Sequence, residues 1–315
     1  VTTALPVTVP QTVGVLGGGR MGAGIAHAFL VAGSAVVVVE RDGEQAAAAT
    51  NRIRASVTRS VERGSTTVTE ADLMSGLTVG TEMAAFRGCG LVVEAVPENP
   101  DLKMEALRSV EAVLDVDAAL ASTTSAISID ELAAHLARPE FFLGLHFFNP
   151  VPASTLVEVV LGGSTTPELA ALALGWVGAL GKTPITVTDA PGFASSRLGV
   201  TVALEAIRML EDGVASAADI DAAMVLGYRF PVGPLRLTDQ VGLDVRLGIA
   251  EYLHTRLGER FAPPQLLRDK VARGELGRKT GRGFFDWDPS RVADLTGSAQ
   301  PPTPSNPATR DGNQP

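Results

Sequence analysis
In the first half of the chain, short unbroken apolar runs alternate with stretches whose apolar positions recur at helical spacing. Val13 to Leu16 reads as a buried strand, and residues 21 to 32 as a helix with Ile25 and Phe29 on one face and small residues at Gly24 and Ala28. Gly33 ends that helix and Val36 to Val39 is a second apolar strand. Residues 43 to 63 predict a long alanine-rich helix bearing Arg52, Arg54, Arg59 and Arg63, and residues 101 to 114 a further one. Strands are expected at Leu77 to Val79, Leu91 to Val96, Ala118 to Ser122 and Leu145 to Phe148, and Ser128 to Glu131 has the form of a capping box. All-apolar strands separated by helices indicate an α/β domain with a mostly parallel sheet, of the Rossmann type.

Beyond a strand at Ile185 to Thr188 the pattern turns helical. Leu198, Val202, Ile207 and Leu210 lie on one long helix ending near Gly213, Ser216 to Asp219 caps another, and a third spans about 238 to 257 after a break at Pro231 to Pro234. The expected division is therefore a Rossmann-type domain over residues 1–188 and a smaller all-helical domain over 189–288, with Asp189 to Gly192 as a hinge. Residues 1 to 11 read as a frayed lead-in. The stretch 289–315 is dominated by Pro, Ser, Thr, Gly and Asn and is expected to be disordered.

Two of the apolar runs each carry a residue that a buried strand would not choose: His146 and Glu158. If the runs pair antiparallel about Pro152, residues whose numbers sum to 304 face each other, and imidazole meets carboxylate. Such a pair is either a structural hydrogen bond or a tuned proton acceptor, because the carboxylate fixes the tautomer and stabilises imidazolium. Its neighbours favour the acceptor. In an open α/β sheet, ligands bind beyond the carboxyl ends of the strands. The exits of the predicted strands bring Glu98, Thr123, Thr124, Ser125, His146 and Asn149 to that edge, with Lys103 in reach. A capping acid and a surface lysine are the plainer reading of Glu98 and Lys103.

Gly17-Gly18-Gly19-Arg20-Met21-Gly22 follows the first strand and opens the first helix, giving GxGxxG with Gly17, Gly19 and Gly22 at the glycine positions. Glycines let the backbone approach a pyrophosphate, and the helix start offers amides and a favourable dipole. Glu40 closes the second strand 18 residues after Gly22, where a dinucleotide fold places an acid for the adenosine ribose hydroxyls. Its charge would repel a 2′-phosphate, so NAD is expected over NADP, with Arg41 beside it acting the other way. The arginines of the early helix are either a solvated basic face or a phosphate-holding cluster.

Composition narrows the partners. The chain has 315 residues, 45% hydrophobic and 19% charged, with a formal net charge of −9. That length exceeds a single core, and the acidic balance argues against nucleic acid or an anionic membrane as partner. A single cysteine, Cys89, suits a reducing cytosol, and no secretory signal or bilayer-length apolar run is read. The four histidines lack ligand spacing, so no metal site is expected: His27 is read as packed in its helix, His135 as exposed, and His254 as a helix-terminal cation.

Taken together, these residues resemble the L-3-hydroxyacyl-CoA dehydrogenase family. The matching pieces are VGVLGGGRMGAGIA, LVVEAVPENPDLK, ASTTSAISIDELA, GLHFFNPVPASTLVEVV, DAPGFASSRL, YRFPVGPLRLTDQVGLD and GELGRKTGRGFFDW, in the family's order from residue 13 to about 287. The resemblance implies NAD-dependent oxidation of an L-3-hydroxyacyl-CoA, short-chain such as 3-hydroxybutyryl-CoA, with His146 as base and Glu158 as its orienting partner. It implies Ser125 and Asn149 beside the nicotinamide and the substrate's 3-oxygen. Cofactor contacts are implied at the turn (Gly17, Gly19, Arg20, Met21, Gly22), Glu40, Glu98, Lys103 and Lys279, and CoA-nucleotide contacts at Ser56 and Arg63. A homodimer through the helical domain, expected because so small a domain buries little surface alone, is implied as well, and the single cysteine points to the cytoplasm. Two positions depart from the family: Thr123 and Ser196 both stand where it has Asn, the second within PGFxxNR, which puts a substrate-orienting contact at Ser196 in question. The rival readings are a dehydrogenase of a free hydroxy acid or sugar acid, and a catalytically idle NAD-binding protein.

Overall fold
The computed structural model describes residues 8–287, so the expected disorder of 289–315 and most of the lead-in lie outside the described residues. Two compact units are present. Among the described residues, the first comprises those up to Val202 together with Gly248–Ala262, and the second comprises Ala203–Leu247 and those from Pro263 to Trp287. In chain order the elements are β1 (Thr12–Leu16), α1 (Arg20–Val31), β2 (Ala35–Val39), α2 (Gly43–Glu62), α3 (Glu70–Ser75), β3 (Leu77–Gly80), β4 (Leu91–Glu94), α4 (Pro100–Glu111), β5 (Ala119–Ser122), α5 (Ile129–Ala133), β6 (Phe142–Phe147), β7 (Leu156–Leu161), α6 (Pro167–Ala179) and β8 (Thr183–Thr188). They are followed by α7 (Ser195–Glu211), α8 (Ala217–Ala222), α9 (Pro234–Val241), α10 (Leu243–Leu257) and α11 (Gln265–Ala272).

The strands form one eight-stranded sheet in the order β3-β2-β1-β4-β5-β6-β7-β8. Neighbours run parallel except at β6–β7, which is antiparallel. The apolar runs are unbroken because the strands are covered on both faces. Val13, Val15, Val36, Val38, Leu91 and Val93 pack against Ile25 and Phe29 of α1 and Ile53 and Val57 of α2. The alternate residues Leu16, Val39, Val92, Leu120, Phe142 and Val160 pack against Leu107 and Val110 of α4 and Ile129 and Leu132 of α5.

That alternation sorts the polar strand residues. Side chains two apart on a strand share a face, so Glu94, Ser122, His146 and Glu158 all lie on the face of Val92, Leu120, Phe142 and Val160. Four buried polar groups on one face of a strand set are costly unless they satisfy each other.

The helical stretch expected over 238 to 257 is two helices. Gly242 interrupts it with φ +109, a backbone conformation that disfavours any side chain, and α10 restarts at Leu243. The N-caps stand as expected: Ser128 accepts from the Glu131 amide and Ser216 from the Asp219 amide, although the Ser128 amide donates to the Tyr252 hydroxyl and not back to Glu131 as a full capping box would have it. Helix α6, which the periodicity passed over, is apolar on most sides and opens with Thr166 as N-cap and Pro167 at its first position.

Candidate active site
The glycine turn joins β1 to α1. Gly17 has φ +92, and a Cβ there would sit 3.0 Å from the Ala95 carbonyl oxygen; a Cβ on Gly22 would be 1.7 Å from the Gly17 carbonyl oxygen. The chain can turn this tightly only without side chains. A Cβ on Gly19, by contrast, would meet nothing within 4 Å, so the backbone there faces open space. Gly19 is the N-cap of α1 and no side chain caps the helix, leaving its first amides available to an anion. Glu40 lies beside the turn, its Oε1 accepting the Gly18 amide at 2.6 Å and its Oε2 the Arg41 amide at 3.2 Å. An open glycine cradle at a bare helix start, with a carboxylate at its flank, fits a dinucleotide without a 2′-phosphate.

The next strand exits hold a network. Lys103 is 1% exposed, and its Nζ donates to Glu94 Oε1 at 2.8 Å, Glu94 Oε2 at 3.1 Å and the Val96 carbonyl at 3.1 Å, with Glu98 Oε2 at 3.4 Å. Glu94 also accepts the Ser122 hydroxyl and the Val96 amide. Glu98 gathers the β5 exit by accepting the Thr124 hydroxyl at 2.6 Å and the amides of Ser125 at 2.8 Å and Ala126 at 3.3 Å. Two carboxylates thus share one enclosed ammonium, and through them Ser125 is held at the rim.

The β6–β7 pair has the register expected from the sum of residue numbers: Gly144 faces Val160, and His146 faces Glu158. His146 is 4% exposed, Glu158 is fully buried, and His146 Nδ1 lies 2.6 Å from Glu158 Oε2. Burial raises the carboxyl's pKa. Hydrogen bonds from His146 and from the side chain and amide of Ser195 outweigh it and hold Glu158 below its ordinary value of 4.5. An ionised Glu158 can only accept, so Nδ1 donates to it and the lone pair of His146 is on Nε2. Phe148 and Phe193 flank the imidazole with ring centroids at 4.5 and 5.8 Å.

Helix α7 closes the site from behind Glu158. Phe193 adopts φ +51, uncommon for a bulky residue, and the following backbone directs the Ala194 and Ser195 amides at Glu158 Oε1, at 3.2 and 2.9 Å. The Ser195 hydroxyl donates to Oε2 at 2.6 Å. The β6–β7 connection carrying Asn149, which is exposed, is pinned by Lys182 Nζ donating to the carbonyls of Val151 at 2.6 Å and Ser154 at 2.5 Å.

The sequence-derived residues therefore group as follows. Gly17 to Gly22 stand with Glu40, Glu98 with Lys103 and Ser125, and His146 with Glu158. All belong to the first unit and lie at or just beyond β1, β2, β4, β5 and β6, with Lys103 on α4 and Glu158 on β7. Ser56 and Arg63 lie on and just after α2, and the Ser56 hydroxyl donates to the Arg52 carbonyl and accepts from Arg59. Of the arginines on that helix, Arg52 donates to the Gly18 carbonyl and Arg54 pairs with Glu70. Ser196 is buried at the start of α7. Lys279 belongs to the second unit, where it pairs with Asp244 at 2.6 Å. Sequence reasoning missed Ser195, Glu94 and Ser122. Glu94 had the same signal as His146 and Glu158, a charged residue in an apolar strand; Ser195 had none.

The model of the 3-hydroxyacyl-CoA dehydrogenase NAD-binding domain matches residues 12–190, and that of the 3-hydroxyacyl-CoA dehydrogenase C-terminal domain matches residues 192–287. The chain belongs to the 3-hydroxyacyl-CoA dehydrogenase family. It is 42% identical over 281 residues to a 3-hydroxybutyryl-CoA dehydrogenase of Mycobacterium tuberculosis, covering 88% of this chain and 98% of the relative. A probable 3-hydroxybutyryl-CoA dehydrogenase of Deinococcus radiodurans is 39% identical over 275 residues, covering 87% and 99%. The crystal structure of (S)-3-hydroxybutyryl-CoA dehydrogenase from Ralstonia eutropha superposes with a TM-score of 0.83 at 37% identity, covering 89% of this chain and 99% of that one. As a member of this family the chain is an NAD-dependent 3-hydroxyacyl-CoA dehydrogenase, in accord with the glycine cradle and Glu40.

Proposed function
We propose that this dehydrogenase interconverts a short-chain L-3-hydroxyacyl-CoA, with 3-hydroxybutyryl-CoA the reference substrate, and its 3-oxoacyl-CoA, using the His146–Glu158 dyad as general base and acid. The observation that carries the assignment is the 2.6 Å contact of two buried side chains, His146 Nδ1 and Glu158 Oε2, on strands adjoining the rim that holds Ser125. His146 Nε2 takes the proton of the 3-hydroxyl, and Glu158 remains ionised to balance the imidazolium that forms. When bound, NAD supplies the acceptor for the hydride that leaves C3. In reduction, the same imidazolium returns its proton to the 3-oxygen. General base catalysis of this kind contributes about 10²–10⁴-fold.

The remaining assignments extend this reading along the lines of the family resemblance. Ser125 and Asn149 orient the 3-oxygen and the nicotinamide from the exits of β5 and β6. Gly17, Gly19, Arg20, Met21, Gly22 and Glu40 hold the dinucleotide, with Glu98 and Lys103 as further cofactor residues. Lys103 acts from within, as the counter-ion of Glu98. Ser56 and Arg63 hold the CoA nucleotide, and Ser196 supports the substrate. A homodimer formed through the helical domain is supported by apolar side chains exposed on the second unit, among them Leu226 at 81% and Tyr228 at 74%, and a cytoplasmic location by the single, buried cysteine, Cys89. The test is NADH oxidation against 3-oxoacyl-CoA thioesters of increasing length, with free acetoacetate alongside. Activity that peaks at acetoacetyl-CoA and vanishes without CoA supports the reading, and equal activity on the free acid sinks it.

A further inference from the structure
Glu158 has four hydrogen-bond donors around its two oxygens, and only one belongs to His146. Oε2 accepts from His146 Nδ1 and from the Ser195 hydroxyl, both at 2.6 Å, while Oε1 accepts the amides of Ser195 and Ala194 at 2.9 and 3.2 Å. The amides come with the backbone at the start of α7 and remain whatever side chain stands there; the hydroxyl does not. We propose that Ser195 is a positioning residue for the dyad: its hydroxyl shares Oε2 with the imidazole, fixes the rotation of the carboxylate and draws off part of the charge that His146 would otherwise feel. This inference rests on the dyad assignment and deepens it.

The direction of the effect follows from the donor count. An ionised carboxylate only accepts, so Ser195 Oγ donates, and a 2.6 Å contact to a charged oxygen belongs to the stronger class of hydrogen bond. Each donor on a carboxylate spreads its charge and weakens its hold on the remaining ones. Taking the hydroxyl away concentrates charge on Oε2, and the imidazolium of His146 is then held more firmly. Among the described residues, the groups that donate to the Glu158 carboxylate are His146, the hydroxyl and amide of Ser195, and the Ala194 amide. On β6 the titratable neighbour is His146, β8 presents Ile185 in register, and α7 presents Ser195 and its amides.

Stronger retention of the proton has opposite consequences in the two directions. Oxidation needs the free base, so its acid limb moves up in pH. Reduction needs the protonated form, so its alkaline limb moves up as well. A merely structural loss lowers the plateau and moves neither limb.

The experiment compares Ser195→Val with Ser195→Thr, nearly equal in shape and differing in the hydroxyl, with Ser195→Ala as a smaller variant should Val disturb folding. kcat/KM is measured from about pH 5 to 9.5 with 3-hydroxybutyryl-CoA and NAD, and in reverse with acetoacetyl-CoA and NADH. The expected result is that both limbs rise together by about half to one pH unit in the Val and Ala variants, while Thr stays at the parent position and KM for NAD changes less than about twofold. Unmoved limbs, or equal movement in Thr and Val, overturn the role of Ser195. His146→Gln run in parallel separates the two claims. If it keeps turnover, the dyad assignment fails; if it is inactive while the limbs of the Ser195 variants stay put, only the present inference fails.

Discussion

Lys103 and Glu94 form an ion pair inside the protein: the ammonium lies 2.8 Å from one carboxylate oxygen and 3.1 Å from the other, with neither side chain more than 1% exposed. Pairs of this kind persist only where further hydrogen bonds complete the shell. Here Ser122, the Val96 amide and the Val96 carbonyl do so. Removing one partner strands a buried charge. Lys103→Met and Glu94→Gln should each cost about 3–5 kcal/mol in urea denaturation, and the double variant should cost less than the sum by more than about 1 kcal/mol. Additive losses would mean that the two charges do not depend on each other.

The dyad makes a separate, kinetic prediction. His146→Gln should lower kcat by about 10²-fold or more, and Glu158→Gln by at least about tenfold. NAD affinity, read by fluorescence titration, should stay within about threefold of the parent, because the cradle at Gly17 to Gly22 is built from other strands. Near-parental turnover in either variant would remove the dyad from the mechanism.

Cofactor choice turns on Glu40, whose carboxylate is fixed beside the glycine turn by the Gly18 amide at 2.6 Å. Glu40→Ala removes both the acceptor for the ribose hydroxyls and the repulsion of a 2′-phosphate. KM for NAD should rise and the preference for NAD over NADP should shrink, each by about tenfold, in parallel kinetics with the two cofactors. A variant that keeps the parent's discrimination would move its origin elsewhere, Arg41 being the neighbour to test.

How far the sequence reached depends on the range over which each feature is encoded. The pairing of His146 with Glu158 was legible because a proline-containing connection and one odd residue per apolar run set both register and face. The glycine turn and Glu40 were legible for the same reason, being local in the chain. Strand ends were less so. The apolar run from Leu91 to Val96 leaves the sheet after Glu94, because the Val96 amide turns back to the Glu94 carboxylate at 2.6 Å. The break at Gly242 hides within an otherwise helical pattern. The contact of Ser195 with Glu158 joins residues 37 apart on a helix start and a strand, and no spacing rule connects them. Lys103 lay in plain view, but its burial depends on pairing with Glu94, nine positions earlier on the preceding strand, and no spacing rule shows that the fold encloses that pair.

His27 supplies the last prediction, a pH dependence of stability. It is buried in α1 with Nε2 2.8 Å from the Ser60 hydroxyl and Nδ1 without a hydrogen-bond partner among the described residues. Burial first, then the positive charges of Lys182 and Arg59, lowers its pKa from 6.5 to about 4. A histidine lowered in this way is neutral when folded over a range in which the unfolded chain binds a proton. The unfolded state therefore gains as pH falls from about 6.5 to about 4, and stability drops across that window, with no further change from this residue outside it. A full shift of that size corresponds to a loss on the order of 3 kcal/mol. In His27→Gln, which keeps a polar group facing Ser60 but cannot titrate, the fall in Tm between about pH 7 and 4.5 should be markedly shallower than in the parent, even if the variant starts lower. Parallel Tm–pH curves for the two proteins would show that the neutral imidazole is not what makes the native state acid-sensitive.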